Sequence, residues 1–412
     1  MHIVRGYFAW YNGIMLNQEK KSIKRIGIDA RFYGPLGKGL GRYIQEVVDN
    51  VIKIDRENEY VIFLSRENFD EFLPTEPRIK KVVISARWYS LAEQFVVPWL
   101  IWREHLDLMH FPHFNVPVFV PVKFVVTIHD LILTRFPTIR ASTLSPWLYK
   151  IKNFFYQVVI SLAVHRAKKV IAVSEFTKKD IVDRFKIDSD KIVVTYEGVA
   201  NLAHGNDSLF VKKLDDRKTL LSYNIADNFI LYVGNVYPHK NLETLLEVFG
   251  ELHKKYPFLR LVLVGKEDYF YKRLKETAAK FNLWNESVPD SPVIFTGYVP
   301  DVELEILYRQ ALFYVFPSLY EGFGLPALEA MAKSCPVASS NQASLPEILG
   351  DAALYFNPTD KADMFLKIDK LYSDQELREV LIKKGHQQVK RYNWWECARQ
   401  TLEVYKKALI KR

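Results

Sequence analysis

The chain has 412 residues, more than one hydrophobic core sustains, so two domains are expected. Its apolar fraction of 49% and charged fraction of 25% are those of a globular protein, and 17 glycines with 19 prolines exclude collagen-like and low-complexity chains. Lys and Arg number 57 against 48 Asp and Glu, a net charge of +9 that favours anionic partners: phosphorylated ligands, acidic lipid or nucleic acid.

Residues 1–24 read as an extension ahead of the fold. Arg5 is followed by no clean apolar stretch, and Asn12, Asn17 and Gln18 interrupt the segment, which argues against a signal peptide. From Arg25 onward, short β-branched runs alternate with amphipathic helical stretches, the pattern of parallel sheets covered on both faces. Strands are predicted at Ile26–Ala30, Tyr60–Leu64, Lys81–Ile84, Asp107–Phe111, Lys123–Ile128, Lys169–Val173 and Lys191–Thr195. After the first, "FYGPLGKGLGRY" places Gly34, Gly37, Gly39 and Gly41 in one loop leading to a helix, so backbone can approach a ligand closely. Neither common glycine code is met: the dinucleotide pattern needs glycine where Arg42 stands, and the Walker pattern needs Lys-Ser/Thr after its last glycine. A flexible turn is the plain alternative. The helix that follows sets Ile44, Val47, Val48, Val51 and Ile52 on one stripe.

The strand Lys123–Ile128 delivers His129 to its carboxyl end, with Asp130 next; a lone histidine there is more often structural than functional. Between Asp130 and Glu175 there is no acidic residue, while Arg135, Arg140, Lys150, Lys152, Arg166, Lys168 and Lys169 stand among Trp147, Tyr149, Phe154, Phe155 and Tyr156. That mixture suits an interfacial helix drawn to anionic lipid. Against it, "FFYQVVISLAV" is apolar nearly all round, as core is, and it falls short of the ~18 residues a membrane span requires. "DSD" at Asp188–Asp190 reads as turn chemistry. The two cysteines, Cys335 and Cys397, support neither a disulfide framework nor a zinc site, which fits a reducing, cytoplasmic setting.

A linker is expected around 197–210. Beyond it "FILYVG", "LRLVLVG" and "VIFTG" are apolar strands closed by Gly234, Gly265 and Gly297, and "LFYVF" is a fourth. The helix from Leu242 should bury Leu242, Leu245, Leu246, Phe249 and Leu252, with Asn241 as its predicted cap and Lys254 and Lys255 at its negative end. The fold class is therefore α/β, with two doubly wound domains facing a central cleft. They are expected at 25–200 and 201–385, with a C-terminal helix at 386–412 returning to the first. Ligands of such sheets bind beyond the carboxyl ends of the strands.

The strongest signal is "FPSLYEGFGLPALEAMAKSCPVASSN", a loop and helix between the strand Leu312–Phe316 and another at Pro336–Ser339. Pro326 suits the first helical position, so the amides of Phe323, Gly324 and Leu325 should gather at a positive helix start, an anion site. Glu321 precedes the turn, and Glu329 is expected in the helix's first turn. Carboxylates beside a phosphate are repelled by it, so both are better suited to accept hydrogen bonds from hydroxyls, which a nucleotide sugar carries on either side of its diphosphate. The plain alternative is one exposed glutamate and one helix-dipole glutamate. In "YVGNVYPHKNLETLLEVF", Lys240 stands immediately before a helix start, where the dipole disfavours a cation unless an anion lies nearby.

The Glu321 to Glu329 spacing within "EGFGLPALEA", with the following "SLPEILGDAALYFNP", resembles the retaining glycosyltransferases of the GT-B fold, in their large group 1 family of mannosyl-, glucosyl- and related transferases. The resemblance runs over most of the chain from about residue 25, and implies two Rossmann-like domains. It implies Glu321 on the hydroxyls of the donor sugar, Glu329 on the ribose, and the amides of Phe323, Gly324 and Leu325 on the diphosphate. Lys240 would stabilise charge on the leaving phosphate, and His129 would touch the donor sugar from the opposite side. Gly39, Asn235, His239, Gly297 and Tyr298 join the implied donor-binding set, and His110 and His113 the acceptor side. Many members have arginine directly after the strand's glycine, where this chain has Asn235; whether His239 compensates stays open. The implied reaction passes a sugar from a nucleoside diphosphate to a hydroxyl of a glycan or lipid-linked saccharide, with no metal and no cofactor. "YVGNVYPHKNLE" is most like mannosyltransferases, so GDP-mannose leads UDP-sugars as donor. A nucleotide-sugar epimerase of the same fold and a non-catalytic protein binding anionic surfaces are the rivals. Nucleic acid is not an expected partner, and peripheral contact with the inner face of a membrane is left open.

Overall fold

The computed structural model describes residues 22–34, 38–136, 146–199, 215–225, 228–288 and 290–410. Residues 1–21 of the predicted extension, Gly37, Arg140 and most of the predicted linker lie outside the described residues.

Two wholly parallel sheets form the protein. The first contains β1 (Arg25–Asp29), β2 (Glu59–Leu64), β3 (Ile79–Val83), β4 (Leu108–Phe111), β5 (Lys123–Ile128), β6 (Lys169–Ala172) and β7 (Ile192–Val194), in the order β3-β2-β1-β4-β5-β6-β7. The second contains β8 (Phe229–Val233), β9 (Arg260–Val264), β10 (Val293–Gly297), β11 (Phe313–Phe316), β12 (Val337–Ser340) and β13 (Ala353–Phe356), in the order β10-β9-β8-β11-β12-β13. Strands such as β2 and β8 are buried along almost their whole length because helices cover both faces, which is why their sequences run apolar without alternation. Strand order reverses between β1 and β4 and again between β8 and β11, and a crevice opens beyond the carboxyl ends at each reversal. The predicted strands all form; β13, inside "GDAALYFNP", was not predicted.

The helices are α1 (Lys38–Ile54), α2 (Glu93–Arg103), α3 (Pro146–Arg166), α4 (Glu175–Phe185), α5 (Asp216–Ser222), α6 (Leu242–Lys255), α7 (Tyr269–Lys280), α8 (Asp301–Gln310), α9 (Leu325–Ala332), α10 (Leu345–Leu349), α11 (Lys361–Ser373), α12 (Gln375–Val389) and α13 (Trp394–Leu409). In α1 the stripe Ile44, Val47, Val48 and Val51 is buried. A Cβ on Gly41 would meet the carbonyl oxygens of Gly34 and Phe32 at 2.2 and 2.5 Å, so this helix sits directly on the loop after β1. In α6 all five predicted core residues are buried, and Val248 joins them.

Two expectations are corrected here. Asn241 does not cap α6 through its side chain: its Nδ2 donates to the Pro358 carbonyl (2.8 Å) and its Oδ1 accepts from the Thr244 hydroxyl (2.7 Å), which leaves nothing for the helix amides. The run "FFYQVVISLAV" is only partly core. Ile160, Ala163 and Val164 are buried, but Phe154, Phe155 and Val158 are exposed, because only the second half of α3 lies against the sheet. Asp188 does make a turn, accepting from the Asp190 amide (2.8 Å) ahead of β7. Cys335 and Cys397 are free and buried. Among the described residues, no helix is long and apolar enough to cross a membrane.

Helix α13 leaves the second sheet and packs along α1 and against β4, β5 and β6. Its Tyr405 hydroxyl lies 2.7 Å from Nδ1 of the fully buried His110, whose Nε2 is 2.9 Å from Thr127 Oγ1. Burial, and then the charge of His129, pull the His110 pKa down to about 3, so the ring is neutral and structural. Tyr405→Phe strands one ring nitrogen without a partner and should destabilise the protein by about 1–3 kcal/mol, read as a lower denaturation midpoint; an unchanged midpoint would show that the Tyr405 hydroxyl does not support His110.

Candidate active site

The loop from β11 into α9 is built around glycine. Gly324 takes a left-handed conformation (φ 107°), so the regular helix begins only at Leu325, with Pro326 second rather than first. Glu329 is therefore the fifth helical residue, one turn in, and not in the first turn as expected. The loop's carbonyls are occupied. Ser344 Oγ lies 3.0 Å from the Glu321 oxygen and 3.2 Å from that of Phe323, and Ser174, from the other domain, donates to Gly322 (2.7 Å). Among the described residues, no acceptor serves the amides of Phe323, Gly324 or Leu325. Three amides left free at a positive helix end are the arrangement by which helix starts hold anions.

Charged side chains frame it. Lys240 Nζ is 2.5 Å from Glu321 Oε1, with only 12% and 10% of the two side chains exposed. The Leu319 amide donates to the His239 carbonyl (2.8 Å), tying the loop after β8 to the loop after β11. His239 is buried, and burial followed by the Lys240 charge lowers its pKa to about 4. Asn235 Oδ1 is buried with no partner among the described residues. A second cation comes instead from the opposite domain: Arg42, one turn into α1, reaches Glu329 Oε1 at 2.5 Å. Burial raises the Glu329 pKa while Arg42 opposes the rise. Arg42 entered the sequence reading only as a mismatch to a glycine code, since nothing local shows that α1 faces α9.

His129, Glu321, Gly39 and residues 322–326 line one cavity of about 280 Å³, together with His113, Phe114, Asp130 and Glu197. Asn235, His239, Lys240, Gly297, Tyr298 and Glu329 are not in its wall. Gly297, at φ 72°, accepts from the Gly265 amide (3.1 Å), and Tyr298 is 71% exposed. His110 lies below, within the sheet. Both ring nitrogens of His129 are engaged: Nε2 donates to the Pro112 carbonyl (3.0 Å) and Nδ1 lies 3.1 Å from Glu197 Oε1. Burial opposes charge on this ring, yet the bond to Glu197 and its charge prevail and raise the pKa above the usual 6.5. Neighbouring His113 goes the other way, to about 3, through burial and the charges of His129 and Arg31. Asp130 is raised, mainly by burial, with Glu321 adding to the effect. Glu197 was missed in the sequence, because the chain brings it to β5 only through β6 and β7.

The domains meet at this point. A Cβ on Gly322 would lie 1.9 Å from the His129 oxygen, the Glu347 carboxylate accepts from the first amides of α4 (2.7 and 2.9 Å), and Tyr320 donates to Asp180 (2.6 Å). Because the folded pKa of His129 is raised, its contribution to stability is complete below about pH 6.5 and disappears as pH rises through the folded value. Glu197→Gln should therefore lower the melting temperature most below that pH, with the gap to the native protein closing as pH rises; a gap independent of pH would uncouple the pair.

Comparison with known proteins accords with this geometry. Residues 217–388 match the family model "Glycosyl transferases group 1", and residues 37–200 match "Glycosyltransferase Family 4". O-antigen chain mannosyltransferase B of Escherichia coli is 28% identical over 388 residues, covering 89% of this chain and 96% of that protein. O-antigen chain mannosyltransferase RfbU of Salmonella typhimurium is 32% identical over 58% of this chain and 62% of its own length. Among solved structures, sucrose-phosphate synthase from Thermosynechococcus elongatus superposes with a TM-score of 0.72 at 19% identity, covering 93% of this chain and 98% of that one. WaaG, a glycosyltransferase involved in lipopolysaccharide biosynthesis, does so at 0.68 and 14%, covering 92% and 99%. Those two likenesses concern the fold alone. With two family models spanning most of both sheets, the chain is a glycosyltransferase of the GT-B fold, with a group 1 domain over residues 217–388 and a family 4 domain over residues 37–200.

Proposed function

We propose that this glycosyltransferase moves mannose from GDP-mannose to a hydroxyl of a glycan or lipid-linked saccharide, with retention of anomeric configuration and without a metal ion. The observation that carries this reading is the set of free amides at Phe323, Gly324 and Leu325, with Glu321 ahead of them paired to Lys240 and Glu329 in the helix after them paired to Arg42. A nucleoside diphosphate sugar has the matching sequence of groups: sugar hydroxyls, two phosphates, ribose hydroxyls. The mannosyl assignment is supported by the O-antigen mannosyltransferases among the relatives.

In this reading the diphosphate lies on the α9 amides, Glu321 accepts from the donor sugar, and Glu329 accepts from the ribose. The bond between the anomeric carbon and the phosphate oxygen breaks as the acceptor oxygen bonds to the same face. The acceptor's proton passes to the departing phosphate oxygen, and Lys240 stabilises the charge released there. His129 faces the sugar from the first domain, its ring held by Glu197 and Pro112. Arg42 supplies the second phosphate cation, in place of the arginine absent at Asn235, once ribose hydroxyls have taken over Glu329. Residues 25–200 serve the acceptor and 201–385 the donor. The close approach of the domains excludes water, which favours transfer over hydrolysis.

Glu321→Ala and Lys240→Ala should each reduce transfer by roughly 100-fold or more, together with a lower melting temperature, since each change strands a buried partner; near-normal turnover with the correct donor would remove the assigned role. His129→Ala should also lose most of the rate, and an unchanged rate would make the residue structural. Proton NMR of the product tests stereochemistry, an inverted linkage ending the retaining proposal, and donor turnover without acceptor would favour the epimerase. For Arg42, Arg42→Ala should raise the donor KM by about 10-fold or more, with partial rescue in Arg42→Lys; equal KM values for Arg42→Ala and the native enzyme would leave the bridge to Glu329 as a domain contact only.

A further inference from the structure

We propose that one face of the N-terminal domain, made by α2, the loop at 117–119 and α3, docks the enzyme on an anionic bilayer surface. Helix α2 exposes Phe95, Trp99 and Trp102, and Leu91 just before it extends the same stripe at spacings of four, four and three. Helix α3 exposes Trp147, Phe154, Phe155 and Val158, again on one stripe. Val118 and Phe119 are exposed between the two helices. The loop links the two helices. The Val118 amide donates to Gln94 Oε1 of α2 (2.8 Å), and the Val118 carbonyl accepts from Arg166 at the end of α3. Isolated exposed hydrophobic residues are ordinary, but a row of large aromatics over three adjoining segments is far more than a free surface normally carries.

Charge selects the occupant. Arg103, Lys150, Lys152 and Arg166 are exposed among these aromatics. The carboxylates belonging to the same stretches are withdrawn: Glu93 is fully buried against Arg31 (2.8 Å) and Asn115, and Glu104 is buried against Lys80 and Arg25. A second copy of this face would set like charges against each other. An acidic lipid surface accepts the cations at its headgroups and the tryptophan and phenylalanine rings just beneath them, the depth at which such rings are most stable. The face also adjoins the cleft: Phe114, which lines the cavity, packs edge-on against Tyr156 of α3 at 4.9 Å and beside Tyr89 ahead of α2 at 6.4 Å. An acceptor carried by lipid would thus stand next to the cavity, a use that rests on the acceptor reading above; docking itself does not.

The test is co-sedimentation of the full chain with phosphatidylcholine vesicles with and without about 30% phosphatidylglycerol, near 0.1 M salt. The native protein should bind the anionic vesicles and not the neutral ones. Binding should fall by about 10-fold or more in Trp99→Ala/Trp102→Ala/Phe154→Ala/Phe155→Ala and in Lys150→Glu/Lys152→Glu, while both variants keep the thermal shift given by GDP-mannose. Native protein left in the supernatant, binding unchanged in both variants, or a native dimer that the aromatic variant converts to monomers without any vesicle binding would each overturn the proposal. Vesicle binding with no thermal shift from any nucleotide sugar would instead retain the docking face and remove the catalytic reading.

Discussion

The close contact between the Gly322 backbone and the His129 carbonyl sets the geometry of the whole cleft. No side chain fits there, so the loop after β11 and the loop after β5 meet as bare backbone. Ser174 and Ser344 then satisfy the carbonyls of residues 321–323, which turns those peptide groups so that the following amides remain available. Two of the three free amides, those of Phe323 and Gly324, thus belong to peptides whose carbonyls are held from the opposite side. Parallel sheets make this possible, since each reversal of strand order leaves a crevice at the carboxyl ends and the two crevices face each other.

The cleft's charges are arranged as pairs that a ligand can rearrange. Lys240 with Glu321 and Arg42 with Glu329 match two cations to two carboxylates, and the His129 ring is set against Glu197. Largely buried pairs such as Lys240 with Glu321 contribute little net stability, because desolvation offsets much of the attraction, but losing one partner leaves the other stranded. A ligand that brings hydroxyls to the carboxylates and phosphates to the cations replaces both partners at once. The cations need not be released into water for this exchange, which is why paired residues can serve as a binding surface.

Much of the fold was legible because strand signals are local: apolar runs closed by Gly234, Gly265 and Gly297 can be read without knowing their neighbours. The helix start at α9 was legible for the same reason, from Gly324 and Pro326, although the left-handed glycine moved Glu329 a turn further in than its distance from the loop suggested. Arg42 and Glu197 were not legible, since their meaning depends on which loops fold against β5 and β11. Asn241 misled because a carboxamide at a helix start has competing partners, here Thr244 and Pro358. The aromatic face was half legible: the basic and aromatic run of α3 already suited a lipid surface, while the stripe on α2 went unread. Tryptophan and phenylalanine at helical spacing look the same whether a core or a lipid surface covers them, and only the packing of α2 and α3 separates the cases.

Helix α13 gives the two lobes a second covalent crossing, since the chain passes to the C-terminal sheet after Val199 and returns near Trp394, where the Gly198 backbone presses on Trp394 itself. A body attached to another at two nearby places turns like a door on its frame. A widening of the crevice that keeps these two crossings together places the greatest excursion on the far rim.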